Sequence, residues 1–210
     1  MSSALKYIIT GIGTDVGKTV ASAIIAQALK ATYWKPVQAG DLDNSDSIKV
    51  NSYTNNEVKI LPERFKLNQP MSPHAAAKLD GVSIHLDDFV FPDVEGNLII
   101  EGAGGLLVPF NSEGLLFADI CQKLDVPLIL VSRTYLGSIN HTLLTAEVLK
   151  SRNLKVKGIV FNGEENIESE SIILHITGLK KIGRIPQVEL VDRAFIMEQA
   201  QLLLANLIAE

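Results

Sequence analysis

Residues 11–19 read Gly-Ile-Gly-Thr-Asp-Val-Gly-Lys-Thr, after an apolar run at 5–10 and before a helix-patterned stretch at 18–30. A strand, a glycine-bearing loop and a helix N-terminus in that order aim backbone N–H groups and the positive end of a helix dipole at one spot. Lys18 adds a full charge there, and Thr19 places a hydroxyl where a phosphate-bound Mg²⁺ would sit. The chemistry is phosphate binding. The usual spacing, G-x-x-x-x-G-K-[ST], needs glycine at position 12, where this chain has Ile12 between Gly11 and Gly13. The loop is thus a variant, and the competing reading is a glycine-rich turn followed by a surface Lys-Thr.

Further residues could serve the same chemistry. Leu98-Ile99-Ile100-Glu101 before Gly102-Ala103-Gly104-Gly105 is an apolar strand that ends in a carboxylate and opens into a flexible loop. Beside a phosphate loop such an acid holds Mg²⁺ directly or through water; otherwise it caps a turn. Asp46, in Asn44-Ser45-Asp46-Ser47, supplies a second carboxylate or simply caps a helix, as Asn, Ser and Asp commonly do. Lys35, before the direction-fixing Pro36, could offset charge on a transferring phosphoryl group or could lie in solvent. Asn162, before Gly163, could read an adenine edge with its amide, or form a turn. The four histidines show no metal-ligand spacing, and His74 and His141 sit near apparent helix starts.

These residues need elements to position them. Strand-like runs at 5–10, 33–38, 97–101, 127–132, 156–162 and 180–185 are interleaved with helical patterns at 18–30, 115–123, 138–150, 168–177 and 193–207. Strands as continuously apolar as Pro127-Leu-Ile-Leu-Val131 suit a sheet buried on both faces. The alternation predicts an α/β fold with a mostly parallel, doubly wound sheet and right-handed crossovers. Ligands in such sheets bind at the carboxyl ends of the strands. Residues 41–94 form a long insertion with helix-like pieces at 45–53 and 72–79, expected to shape a substrate site or lid. No repeat or linker divides residues 1–210, so one domain is expected.

Composition narrows the field. With 47% hydrophobic and 20% charged residues the chain is ordinary for a globular protein. A net charge of −5 argues against a general nucleic-acid surface. The absence of a long apolar run or signal-peptide pattern leads us to expect a cytoplasmic protein without a membrane partner. The single cysteine, Cys121, excludes an intrachain disulfide and reads as a small buried hydrophobe.

Taken together the segments resemble the dethiobiotin synthetase family: Gly13 to Val20, Lys35-Pro-Val-Gln-Ala-Gly40, Asn44-Ser-Asp46, Ser72-Pro-His74, Glu101-Gly-Ala-Gly-Gly105, Leu136-Gly-Ser-Ile-Asn-His141 and Gly183-Arg-Ile-Pro186. They follow the family's order over most of the chain, and the extra loop residue is itself a family trait. The resemblance implies a Rossmann-like P-loop NTPase fold with helices on both faces, and a homodimer. The implied reaction is MgATP-dependent carboxylation and ring closure of 7,8-diaminononanoate with CO₂, through a carbamate and a carbamic–phosphoric mixed anhydride. Carried over by position, the phosphate loop falls on Asp15, Val16, Gly17, Lys18, Thr19 and Val20. Mg²⁺ ligands fall on Thr19, Asp46 and Glu101, further nucleotide contacts on Gly102, Ala103 and Gly104, and the catalytic cations on Lys35 and Lys18. Adenine-end contacts fall on Asn162, Gly163, Pro186, Gln187 and Val188. The diamine falls to Ala39, Ser72, Asn140 and His141, the last two at the subunit interface.

One position departs: where the family commonly has Ser or Thr after Lys-Pro-Val-x, this chain has Ala39. A partition or septum-positioning ATPase is the rival reading. Such proteins usually carry a second lysine early in the phosphate loop and may end in a basic helix; here residues 194–210 hold no Lys, Arg or His. A P-loop amidotransferase-type ligase would need a glutaminase nucleophile, for which 210 residues leave no room.

Overall fold

A computed structural model describes residues 4–209. In chain order its elements are β1 (Lys6–Gly11), α1 (Lys18–Leu29), β2 (Thr32–Trp34), β3 (Val37–Ala39), α2 (Asp46–Tyr53), β4 (Ile60–Leu61), β5 (Phe65–Leu67) and α3 (Pro73–Asp80). They continue with β6 (Leu98–Glu101), α4 (Phe117–Leu124), β7 (Leu128–Arg133), α5 (Ser138–Ser151), β8 (Val156–Asn162), α6 (Ile167–Thr177), β9 (Lys181–Ile185) and α7 (Arg193–Ile208). The main sheet runs β4-β2-β6-β1-β7-β8-β9, with every neighbouring pair parallel.

The period of two along a strand divides the core. Ile9, Tyr33 and Ile99 face α1 and α7, whereas Ile8, Leu98 and Ile100 face the layer that holds Phe117, Leu149 and Ile173 of α4, α5 and α6. The strands are therefore covered on both sides, as their unbroken apolar runs require.

Three expectations change in detail. The run at 33–38 is not one strand: it breaks at Lys35-Pro36. Proline has no N–H to give the ladder, so β2 stops at Trp34, and the chain resumes as β3 in a separate two-stranded sheet with β5. The insertion at 41–94 contains the expected helices but also β4, which pairs with β2 at the main sheet's edge. Two residues are too few to show a period. The helix expected from residue 115 begins at Phe117, because Leu116 is extended and bridges to Pro109.

The closing helix α7 buries one stripe, Ile196, Gln199, Ala200, Leu203 and Leu207, while Leu202 and Ile208 stay exposed. Its apolar excess is thus displayed, not sunk deeper into the core. Cys121 is buried, as expected. Among the described residues no helix is long and apolar enough to cross a membrane.

Candidate active site

The order β2-β6-β1 sets three carboxyl ends side by side. β2 delivers Lys35, β6 delivers Glu101, and β1 opens into the glycine loop. Lys35 Nζ donates to Glu101 Oε1 at 3.1 Å and to the Gly102 carbonyl at 3.0 Å, and it pairs with Asp46 Oδ2 at 2.6 Å. Thr19 Oγ1 donates to the same Glu101 Oε1 at 3.0 Å, and the Tyr33 hydroxyl donates to Oε2 at 2.9 Å. Lys18 Nζ folds back onto the Gly13 carbonyl at 2.8 Å. Lys18, Thr19, Lys35, Asp46 and Glu101 line a cleft of about 680 Å³, together with Thr14, Asp15, Gly17, Val20, Ala39, Lys49, Ser72, Ala103 and Gly104.

Two glycines are fixed by what surrounds them. Gly17 has φ of 92°, and a Cβ there would lie 2.2 Å from Asn162 Nδ2. A Cβ on Gly102 would lie 2.3 Å from the Phe117 ring. The backbone can run this close to its neighbours only without side chains.

The geometry removes one alternative at each of two residues. Ser45, not Asp46, caps α2: its hydroxyl accepts from Ile48 N at 3.3 Å. Asp46 is the helix's first residue, and its side chain turns to Lys35 and Thr19. Lys35 is only 4% exposed, which disposes of the solvent reading.

Charge is balanced in this cluster, two ammonium groups against two carboxylates. Burial pushes Lys18 down to about 8, with the nearby Lys35 charge adding to the effect. Burial would lower Lys35 as well, but Glu101 and Asp46 outweigh it and hold its pKa above the usual lysine value. Asp46 is the mirror case: burial favours its neutral acid, Lys35 wins, and its pKa is lowered. Burial and the Glu101 charge keep the Tyr33 phenol protonated.

The donor set suits a hard divalent cation. Thr19, Asp46 and Glu101 offer a hydroxyl and two carboxylates, and the Lys35 ammonium already occupies a position of positive charge between the acids. Among the described residues no cluster of three or more His, Cys, Asp or Glu is placed to hold a metal. Mg²⁺ takes one or two carboxylates and completes its shell with phosphates and water, so a hydroxyl and two carboxylates are a donor set of its kind.

The remaining sequence-derived residues lie elsewhere. Asn162 packs over the loop, its Nδ2 donating to the Val16 carbonyl at 2.9 Å. Gly163 N donates to the Ile185 carbonyl at 2.9 Å, so Gly163 and the segment Pro186, Gln187, Val188 share one end of the sheet, outside the main cleft. Asn140 and His141 stand on the exposed first turn of α5, where His141 Nδ1 meets the Tyr135 hydroxyl at 2.7 Å. Ser72 Oγ meets His74 Nδ1 at 3.0 Å.

Sequence reading missed Tyr33 and Gln38. Gln38 Oε1 accepts from Asp46 N at 3.2 Å, fixing the start of α2, while its Nε2 donates to the Gly40 carbonyl at 2.9 Å. A buried tyrosine needs a partner for its hydroxyl, and that requirement was the available signal for Tyr33.

A family model described as an AAA domain matches residues 6–194. An ATP-dependent dethiobiotin synthetase from Christiangramia forsetii is 50% identical over 197 residues, covering 93% of this chain and 94% of that protein. One from Cytophaga hutchinsonii is 51% identical over 203 residues, covering 96% and 98%. Among solved structures, a protein described as a plasmid partition protein from Borrelia burgdorferi superposes with a TM-score of 0.62 at 10% identity, covering 98% of each chain. The cell division protein MinD from Aquifex aeolicus gives 0.56 at 14% identity, covering 97% of this chain and 95% of its own. At these identities the two structures establish the shared P-loop fold and nothing further.

Proposed function

The chain belongs to the ATP-dependent dethiobiotin synthetase family, and on that premise we propose how its residues divide the work. The reaction is the ATP-dependent synthesis of dethiobiotin, a step of biotin biosynthesis. One amine of 7,8-diaminononanoate adds to CO₂ and loses a proton, giving a carbamate. A carbamate oxygen attacks the γ-phosphorus as the bond to the ADP oxygen breaks. The second amine then attacks the carbamoyl carbon, closing the ring and expelling phosphate.

Lys18 and the loop 15–20 hold the nucleotide phosphates. Lys35 offsets the negative charge that gathers on the carbamate and the transferring phosphoryl group, a task that asks for fixed charge and little covalent work. Thr19, Asp46 and Glu101 would hold Mg²⁺, which supplies positive charge to the phosphate oxygens when bound. Gly102, Ala103 and Gly104 flank the nucleotide; Asn162, Gly163 and residues 186–188 take its adenine end. Ala39 and Ser72 face the diamine, and Asn140 and His141 reach it from the facing subunit of a homodimer. We place the chain in the cytoplasm as one domain over residues 1–210, acting on small molecules, a reading supported by its net charge of −5.

The observation that carries this reading is the Lys35 ammonium between Asp46 and Glu101, beside Thr19 and the phosphate loop. The test is phosphate release from ATP with and without diaminononanoate and bicarbonate. Release should require both. Release stimulated by DNA or lipid vesicles, with no response to the diamine, would move the chain to the partition-type reading.

A further inference from the structure

The Glu101 carboxylate is held at both oxygens, and nucleotide chemistry accounts for only one of the two holds. Oε1 meets Thr19 and Lys35, groups with roles at the phosphates. Among the described residues Oε2 meets only Tyr33, which is fully buried. In the β2–β6 pairing Tyr33 lies opposite Ile99, so Glu101 is its diagonal neighbour, two residues along. Long side chains span that diagonal. Among the described residues Glu101 is also the one hydrogen-bond partner of the Tyr33 hydroxyl. A phenylalanine would fill the same space, so the phenol oxygen is there for the carboxylate.

We propose that Tyr33 is a positioning residue that reserves Oε2 of Glu101, leaving Oε1 as the single oxygen offered to a divalent cation, so that the site favours Mg²⁺ over Ca²⁺. The proposal rests on Thr19, Asp46 and Glu101 being the metal-holding residues. Mg²⁺ demands near-octahedral geometry and few protein ligands, whereas Ca²⁺ accepts more oxygens and often takes both from one carboxylate. Glu101 can spread both oxygens over an ion only by giving up a charge-assisted hydrogen bond in a dry core. Partners behind metal ligands commonly set affinity in this way.

Mn²⁺ binding, read by electron paramagnetic resonance on the intact protein with ADP, tests this without relying on turnover. In Tyr33→Phe the Mn²⁺ dissociation constant should rise about tenfold, the lower end of the range for such partners. Competition should shift as well, with Ca²⁺ displacing Mn²⁺ about fivefold more effectively relative to Mg²⁺ than in the native protein. In a Glu101→Gln background, removing the phenol should change neither quantity. That double variant discards the buried charge along with its donor, so it keeps the test open should Tyr33→Phe fail to fold. An unchanged Ca²⁺-to-Mg²⁺ preference in Tyr33→Phe overturns the proposal. A Tyr33 effect that persists in Glu101→Gln does the same. Native protein that binds no Mn²⁺ with ADP would instead overturn the metal assignment on which the proposal stands.

Discussion

The ends of β2 and β6 and the first turn of α5 both hold residues assigned to the same reaction, yet they are built in opposite ways. At the strand ends Lys35 and Glu101 are 4% and 1% exposed, and each charged group is paired within the cluster. Around the start of α5, the His141 ring meets the exposed Tyr135, Leu136 is fully exposed, and so is most of Leu144. Fixed charges in a dry pocket need no reorganisation when phosphate charge develops. The strand ends are therefore a finished device. Around the start of α5, Leu136, Asn140 and His141 lie at the surface, as the proposed contact with a second subunit requires. The partition rested on chain topology: a parallel sheet gathers strand ends without help, whereas a helix start on its flank stays outside.

The sharpest way to break this contrast is to remove a charge from the finished side. Lys35→Gln should lower turnover by about 10²–10³, the loss typical for a preorganised charge-stabilising group. It also leaves Asp46 and Glu101 facing each other without their cation, so the thermal midpoint should fall. Lys18→Gln should lose a similar factor in turnover. Steady-state phosphate release reads both, and near-native turnover in Lys35→Gln would remove that lysine from the mechanism.

The unfinished side predicts a smaller loss and a way to recover it. Asn140→Ala should lose about 10–100-fold in diamine-dependent efficiency, the worth of a hydrogen bond to a charged group. Mixed with Lys18→Gln and allowed to exchange subunits, it should regain about a quarter of native sites, since half the dimers are mixed and each carries one intact site. No recovery despite proven exchange, or a monomer at assay concentration, would mean that α5 takes no part across an interface.

The same contrast governs what could be read from sequence. The phosphate loop and Glu101 were legible because each sits where a strand runs out, a position the apolar pattern marks directly; Lys35 was marked only by the proline after it, since the run at 33–38 carries on past it. Asp46 was ambiguous because Ser45 and Asp46 are both good helix caps, and only the fold shows which one caps. β4 and the break after Lys35 were hidden, one by shortness and the other inside an apolar run. Tyr33 stood out only as the start of a strand-like run, since nothing local reveals that its diagonal neighbour across the sheet is a carboxylate. Asn162 was placed at the right strand end, but its contact with Val16 depends on how two loops lie together.

A gentler probe of the finished side is pH. Burial and Lys35 hold Lys18 near 8 in the free protein, and bound phosphates favour its charged form. Below that pH the ammonium is already present and nucleotide affinity is full. Above it binding must take up a proton, so ADP affinity should fall by up to about tenfold per pH unit. Lys18→Met, with no proton to lose, should bind more weakly but with a flat profile. Calorimetric titration from about pH 7.5 to 9.5 covers the window; an unchanged slope in Lys18→Met would assign the titration to another group.

The smallest expected effect lies where the two regions would meet over the diamine. Ala39 ends β3, half-buried on the wall of the cleft, at the position where the family commonly carries a hydroxyl. The nearby polar groups are already engaged: the Gln38 amide with Asp46 N and the Gly40 carbonyl, and Ser72 with His74. Each would have to take on a further bond to replace the missing hydroxyl. Ala39→Ser should therefore fold normally and leave diamine affinity equal or improved, by at most about 0.5–1.5 kcal/mol, or two- to tenfold. Lys35→Gln measured in the same background should still lose its full factor, because the added hydroxyl acts on the diamine and not on the phosphoryl group. A tenfold loss of diamine affinity in Ala39→Ser would show that the site is shaped around the methyl group or a water beside it, and that this chain departs from its family's way of holding the substrate.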